Sequence, residues 1–233
     1  MYEMIYIFIN ENLMILLLLG LIIVLLIVIK KIFNLIRLNK EWKKSGDFFD
    51  FNYINKKNII IPDDLKEFIL FNNYKYNYII LNLKLEGELK GFKTKIYKYF
   101  SLGKKINIFK CNNKILLFVN IDHKLPKTLI IKKRLFFNET VYFKDFFSSI
   151  NPENYYLNEV NKKLVVFCDK NSNFEKSIIY IKDLCNVLSV NFPFERIEII
   201  NKKILFVASY KKIKKLYKII KKSEFIVSYL TND

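Results

Sequence analysis

The sequence contains few of the residues that usually form catalytic and metal-binding centres. Its 233 residues include one histidine, three cysteines and five glycines. The cysteines, Cys111, Cys168 and Cys185, are far apart and form no C-x-x-C pair. This spacing excludes the common zinc motifs and a disulfide scaffold. We therefore expect thiols in a reducing compartment.

Catalytic and cofactor-binding motifs are not indicated either. His123 follows Asp122 and would need a nucleophile such as Cys111, but this spacing matches no known catalytic signature. We interpret His123 as a surface residue in a turn. The glycines form no phosphate-binding loop. We predict that the protein is not an enzyme and has no catalytic residues, cofactor or metal site.

The composition is biased towards residues with A/T-rich codons. Glutamine is absent, alanine occurs once and arginine three times, whereas Lys, Asn, Ile, Phe and Tyr are abundant. An AT-rich genome is the simplest cause. Codon bias does not explain the formal net charge of +18, because Asp and Glu also have A/T-rich codons. The positive charge therefore favours an anionic partner, such as a lipid surface or a nucleic acid.

A long apolar segment near the N-terminus predicts a transmembrane helix. Residues 13–29 are apolar without interruption. A helix of this length rises roughly 26 Å, close to the hydrocarbon thickness of a bilayer, about 30 Å. Further apolar residues extend the predicted span to residues 13–37. A cleaved signal peptide is not favoured, because no basic residue precedes the segment and two lysines follow it.

The charges around this segment predict its orientation. We predict that the helix spans the cell (inner) membrane. By the positive-inside rule, residues 1–12 are then a short extracytoplasmic N-terminus. We interpret residues 38–55 as a basic juxtamembrane tether and residues 56–233 as one cytoplasmic domain. We expect Trp42 and Phe48-Phe49, which lie near this flank, to touch the membrane interface. The flanking residues predicted to contact the membrane surface are Lys30, Lys31, Arg37, Lys40, Lys43 and Lys44.

Alternation of apolar and polar residues predicts strands in the domain. It covers residues 78–86 and 92–100, with a turn or bulge bracketed by Gly87 and Gly91. Further strands are predicted at residues 106–111, 114–121, 128–131, 196–200 and 203–208, with hairpin turns at Asn112-Asn113 and Asn201-Lys202.

Helix-start signals occur between and after these strands. Pro62 followed by Asp63 suits a first helical turn. Similar signals at Asn151 and Ser172 predict two further helices, and residues 210–222 predict a final one. The predicted fold class is α+β. An N-terminal single transmembrane helix is followed by one mixed, mainly antiparallel-sheet cytoplasmic domain with packed helices.

One stretch resembles a known family. Residues 163–169 (Lys-Leu-Val-Val-Phe-Cys-Asp) predict a strand that ends in Asp, a capped helix follows, and residues 197–207 predict a strand pair. Over about residues 135–210 this order is similar to a bacterial family of membrane-anchored proteins of unknown function. The resemblance implies a bacterial source and carries over no catalytic residues.

The final predicted helix combines an apolar stripe with many lysines. We interpret it as an amphipathic helix packed on the sheet. The alternative is that its lysines contact anionic lipid beside the anchor. The lysines of this helix assigned to membrane-surface contact are Lys211, Lys212 and Lys215.

These features predict a non-enzymatic single-pass membrane protein. Its basic cytoplasmic domain would act as a scaffold or as an assembly and interaction module at the inner membrane face. The expected partners are anionic membrane lipid and an unidentified protein. The alternatives are a membrane-tethered nucleic-acid-binding protein and a structural subunit of a larger membrane complex. Nucleic acid is less favoured, because arginine is scarce and no nucleic-acid-binding motif is present.

Overall fold

The structure, a computed structural model, describes residues 2–68, 71, 76–103, 112–132, 155–160, 164–169 and 192–231. The chain divides into two compact units, Met1–Glu41 and Trp42–Asp233. The helices are α1 (Tyr2–Phe48), α2 (Asp63–Lys66) and α3 (Leu216–Thr231), and a 3₁₀ helix, Tyr210–Lys215, precedes α3. The strands are β1 (Asn52–Ile59), β2 (Tyr76–Leu89), β3 (Phe92–Gly103), β4 (Asn112–Lys132), β5 (Tyr155–Val160), β6 (Leu164–Asp169) and β7 (Arg196–Ser209).

The described part of the first unit is helical, and its residues 13–29 are apolar around the whole helix. Within the described part of the chain, one helical segment, Leu13–Phe48, is long and apolar enough to cross a membrane, by its length and composition. The large apolar side chains described in residues 13–36 are exposed. A helix on the surface of a soluble domain exposes a polar face instead. The predicted N-terminal apolar helix is therefore confirmed.

The last turns of α1 belong to the second unit. Trp42 is 1% exposed, and Ser45 and Gly46 are also buried. A Cβ on Gly46 would lie 2.9 Å from both a Leu85 methyl carbon and the Phe51 carbonyl oxygen. Glycine is therefore required for this close approach. The expectation that Trp42 touches the membrane interface is corrected, because its indole is buried in the domain core.

The predicted tether at residues 38–55 also differs from the structure. Helix α1 ends with the Phe51 amide donating to the Gly46 carbonyl oxygen at 2.9 Å and with Asp50 in the left-handed region at φ 54°. This is the geometry of a Schellman cap. Strand β1 begins directly afterwards, so helix, cap and strand occupy the segment.

The sheet in the second unit is antiparallel at every pairing described. The strand order is β1-β2-β3-β4-β6-β5, and β7 pairs with β4 outside this path. Strand β4 pairs with β3 along its first half, with β6 along its last residues and with β7 along both parts. The antiparallel sheet and the helices packed with it confirm the predicted α+β class.

Two predicted hairpin turns are wrong, because both lie inside strands. Asn112 and Asn113 are paired with Ser101 and Phe100 at the start of β4. Asn201 has the positive φ expected of a turn, 55°, but β7 continues through it. The register to β4 shifts on either side of Asn201. The residue therefore forms a bend within one long strand, and residues 114–121 and 128–131 likewise belong to the single strand β4.

The turn between β2 and β3 is shorter than the predicted segment between Gly87 and Gly91. Lys90 and Gly91 form it, with φ values of 54° and 80°, as a type I′ turn requires. Gly87 lies within β2, where a Cβ would come within 2.4 Å of a Phe51 ring carbon. The strand predicted at residues 106–111 and the helices predicted after Asn151 and Ser172 lie outside the described residues.

Apolar side chains are buried on both faces of the sheet. One face carries a core cluster that includes Phe68, Tyr97, Tyr99, Phe118 and Phe167. Short helix α2 covers part of it, and α2 begins where Pro62 and Asp63 predict. The final helix reaches Thr231, well beyond the predicted residue 222. Its buried residues include Leu216 and Ile220 of the predicted apolar stripe.

Candidate functional site

The predicted basic residues are exposed wherever the structure describes their side chains. In the first unit these are Lys30, Lys31, Arg37 and Lys40, and in the second unit they are Lys43, Lys44 and Lys215. The side chains of Lys211 and Lys212 lie outside the described part. The exposed ammonium groups of the second unit are available to an anionic surface.

The second unit brings the end of α1 next to the start of α3. The Phe48 and Tyr217 rings lie edge to face with centroids 4.5 Å apart, and the Phe49 and Tyr217 centroids are 5.5 Å apart. Such pairs contribute about 0.5–1.5 kcal/mol beyond the burial of their area. Two basic segments far apart in the sequence, at residues 43–44 and around residue 215, therefore belong to adjoining helix ends.

An aromatic and lysine-rich cluster lies beside this helix junction. Tyr210 is hydrogen-bonded to Trp42, and the Lys98 ammonium group is 4.8 Å from the centroid of the Tyr210 ring. The Lys43 ammonium group similarly lies 5.7 Å from the Tyr53 ring centroid. Burial raises the pKa of both tyrosines, and the bond to Trp42 partly offsets this rise at Tyr210. Both phenols are therefore neutral at physiological pH and bind cations through their ring faces.

The second unit also has an open groove of about 770 Å³. Carboxylates of Asp50, Asp64, Glu86 and Glu88 line it, in a chain whose net charge is strongly positive. Two of them are already paired: Glu86 lies 3.3 Å from Lys95, and Asp64 lies 3.1 Å from Lys203. Burial, together with Glu86 and Asp64, raises the pKa of Tyr97 in the groove wall. Tyr97 therefore stays protonated and does not act as a base at neutral pH.

The residues considered for catalysis have structural contacts. His123 is not in a surface turn as predicted; it is half-buried in β4, with its Nε2 3.2 Å from the Leu230 carbonyl oxygen. The buried Cys168 thiol accepts a hydrogen bond from the Thr128 hydroxyl at 3.4 Å. Cys111 lies outside the described residues. Within the described ranges, no group of three His, Cys, Asp or Glu side chains is placed to hold a metal ion.

Sequence reasoning missed two lysines in the strands. Lys84 is only 7% exposed, and Lys98 is half-buried beside Tyr210. Alternation placed Lys84 on the polar side of β2. For Lys98 the sequence held one indication of burial. Lys98 lies on the same side of β3 as Ile96, which is a partly apolar face.

The described residues define a class of protein: a mainly antiparallel α+β domain that follows an apolar N-terminal helix. No family model matches the chain, and no curated protein matches it. A structural similarity is found to the crystal structure of the mycobacterial trehalose monomycolate transport factor A, TtfA, with a TM-score of 0.43 and 7% sequence identity. The alignment covers 82% of this chain and 95% of that chain. At this TM-score the two chains are not shown to share a fold.

Proposed function

We propose that this chain is a membrane-anchored, non-enzymatic accessory protein whose basic domain serves as a scaffold or assembly module at the inner face of the cell membrane. The observation that carries the proposal is helix α1. Its apolar segment exposes large apolar side chains, and the last turns of the same helix are packed into the second unit through Trp42. Apolar surface of this extent requires lipid or another apolar partner.

The orientation follows from the basic residues after the apolar segment. Lys30, Lys31 and Arg37 are exposed, and no basic residue precedes them. The positive-inside rule then favours a cytoplasmic domain. To test this orientation, protease is added to cells whose outer layer is permeable and whose inner membrane is intact. A C-terminal epitope on the protein is then detected by immunoblotting. Full protection until the inner membrane is opened is expected. Digestion of the epitope in intact cells would contradict this orientation.

Contact between the domain and the membrane surface is the second part of the proposal. Each lysine near an anionic surface contributes about 1 kcal/mol. In nanodiscs containing anionic lipid, acetylation of Lys43, Lys44 and Lys215 by an amine-reactive reagent should be slower than in neutral nanodiscs. The protection should decrease at high salt, because exposed charges are then screened. Mass spectrometry of the modified full-length chain measures each site separately.

The matched control uses lysines that are equally exposed elsewhere in the same unit. Lys56, Lys132 and Lys202 fulfil this condition. Their acetylation rates should not depend on the lipid composition of the nanodisc. Equal protection of both sets would show a general effect of surface potential and would contradict a specific contact through the helix junction.

A further inference from the structure

Lys84 is a buried cation held by a neutral partner. Lys84 lies on β2 and is only 7% exposed. Its ammonium group donates a hydrogen bond to the Asn55 side-chain oxygen. Buried lysines are normally paired with a carboxylate, because a buried charge without a counter-ion is costly. Among the residues that the structure describes, no carboxylate forms an ion pair with Lys84.

Two further lysines lie close to Lys84. Lys98 is on the neighbouring strand, where it pairs with Asn82, two residues from Lys84. Lys57 follows on the edge strand β1. Burial lowers the pKa of Lys84, and the positive charges of Lys98 and Lys57 lower it further. Burial also lowers the pKa of Lys98. Lys84 and Lys98 therefore lie on adjacent strands, and Lys57 adds a further positive charge. Among the described residues, none of the three lysines forms an ion pair with a carboxylate.

A neutral hydrogen-bonding group lies beside each of Lys84 and Lys98. The Asn55 side-chain amide accepts from Lys84 through its oxygen and still has its NH₂ group as a donor. Tyr210, whose ring lies against Lys98, accepts from the Trp42 indole, so its own O–H can donate. Convergent cations and neutral donors are the chemistry that binds a phosphate group.

We propose that Lys57, Lys84 and Lys98 form a binding site for a phosphate-bearing anion. A bound phosphate supplies the counter-charge that the described residues lack around Lys84. The phosphate group belongs either to a lipid headgroup or to a soluble molecule, and both have the same recognition chemistry. This proposal stands apart from the membrane-surface contact above, since it uses different lysines.

The test uses the full-length chain in a maltoside detergent, which contains no phosphate. Inorganic phosphate is titrated at constant ionic strength and followed by calorimetry, with chloride as the reference anion. In a second arm, short-chain phosphatidic acid is compared with the uncharged diacylglycerol of the same chain length. Binding of inorganic phosphate that is at least as tight as binding of phosphatidic acid indicates a soluble ligand, and tighter binding of phosphatidic acid indicates a lipid headgroup. Binding in neither arm would overturn the proposal.

The decisive variant is Lys84→Met, and Lys132→Met, which removes an exposed strand lysine, is its control. Lys84→Met should weaken binding about tenfold or more, because a charge-assisted hydrogen bond is lost. Lys132→Met should bind as the unmodified chain does. Equal loss in both variants, or none in Lys84→Met, would overturn the proposal.

A second measurement does not depend on the Lys84→Met variant. Lysines of the unmodified chain are labelled by reductive ¹³C-methylation, and the Lys84 resonance is assigned with Lys84→Arg, which keeps the charge. Bound phosphate should raise the pKa of Lys84 and shift its resonance. A pKa of Lys84 that is the same in phosphate and in chloride would count against the site.

Discussion

The Trp42 indole N–H donates a hydrogen bond to the Tyr210 hydroxyl oxygen. Trp42 lies near the end of α1, and Tyr210 directly follows β7. The bond therefore joins the first residue of the second unit to the segment between β7 and α3, and all strands of the sheet lie between these two residues in sequence. Trp42 is 1% exposed, so the bond forms away from solvent, where an unpaired polar group is costly.

Loss of this bond should destabilise the domain. Trp42→Phe leaves the Tyr210 hydroxyl without the indole donor, and we expect the free energy of unfolding to fall by about 1–3 kcal/mol. Denaturant titration in detergent, followed by circular dichroism, measures the change. Tyr210→Phe removes the bond from its other side, so the double variant should lose less than the sum of the single effects. Strict additivity would show that the two residues are not coupled.

The bend in β7 should depend on the residue at position 201. Asn201 has φ 55°, which asparagine and glycine tolerate and β-branched residues do not. Asn201→Gly should be nearly neutral, whereas Asn201→Val should cost about 1–2 kcal/mol. Thermal unfolding in detergent checks both. Lys202→Val, at the exposed neighbouring position, is the matched control, and an equal loss there would assign the effect to valine itself.

A buried ion pair on β7 should be costly to break from one side. Arg196 Nε lies 2.8 Å from Glu198 Oε1, and the Glu198 side chain is fully buried. Arg196→Met removes the cationic partner and should cost about 3–5 kcal/mol. Arg196→Met combined with Glu198→Leu should recover most of this loss, since no buried charge remains. Chemical denaturation of the unmodified chain and the two variants measures this. A double variant no more stable than Arg196→Met would contradict the expectation, because the loss would then not come from the unpaired charge of Glu198.

The stability of the domain should depend on pH through Lys84. Burial lowers its pKa in the folded chain, whereas the unfolded chain has the ordinary value of about 10.4. Between the two values the unfolded chain binds more protons, so the free energy of unfolding rises with pH in that window. Lys84→Met should flatten this rise and be more stable than the unmodified chain at neutral pH.

The comparison of pH slopes isolates Lys84. Buried Tyr97, whose pKa is raised, lowers the stability of the folded state at high pH, but it does so equally in both proteins. Unfolding curves between pH 7 and pH 10 give the two slopes, with Lys132→Met as the charge control. Identical slopes for the unmodified chain and Lys84→Met would contradict the assignment.

Local patterns predicted the elements that depend on local physics. The alternation in residues 78–86 identified the middle of β2, and Pro62-Asp63 marked the start of α2. The same reasoning failed at Asn201, because asparagine tolerates a positive φ in a hairpin turn and in a strand bend alike. The pairing of β7 with β4 decides between these two structures, and that pairing is a long-range property.

The candidate site shows the same division. The exposed lysines at positions 43 and 44 were expected from the flank of the apolar segment, and their exposure needs no tertiary information. Their position beside α3 follows from the contacts of Phe48 and Phe49 with Tyr217. No local sequence pattern predicts these contacts. The buried position of Lys84 was missed because alternation assigns a lysine to the polar face.

The sequence by itself determined that the chain has one long apolar helix near its N-terminus, a strong positive charge and a sheet-rich domain, because hydrophobic run length, charge and alternation are sums over neighbouring residues. Only the tertiary structure decided that α1 ends in the domain through Trp42, that β4 and β7 pair along their length, and that Lys84 is buried. These features depend on packing and strand register between distant segments, and a residue's type does not encode which side chains surround it.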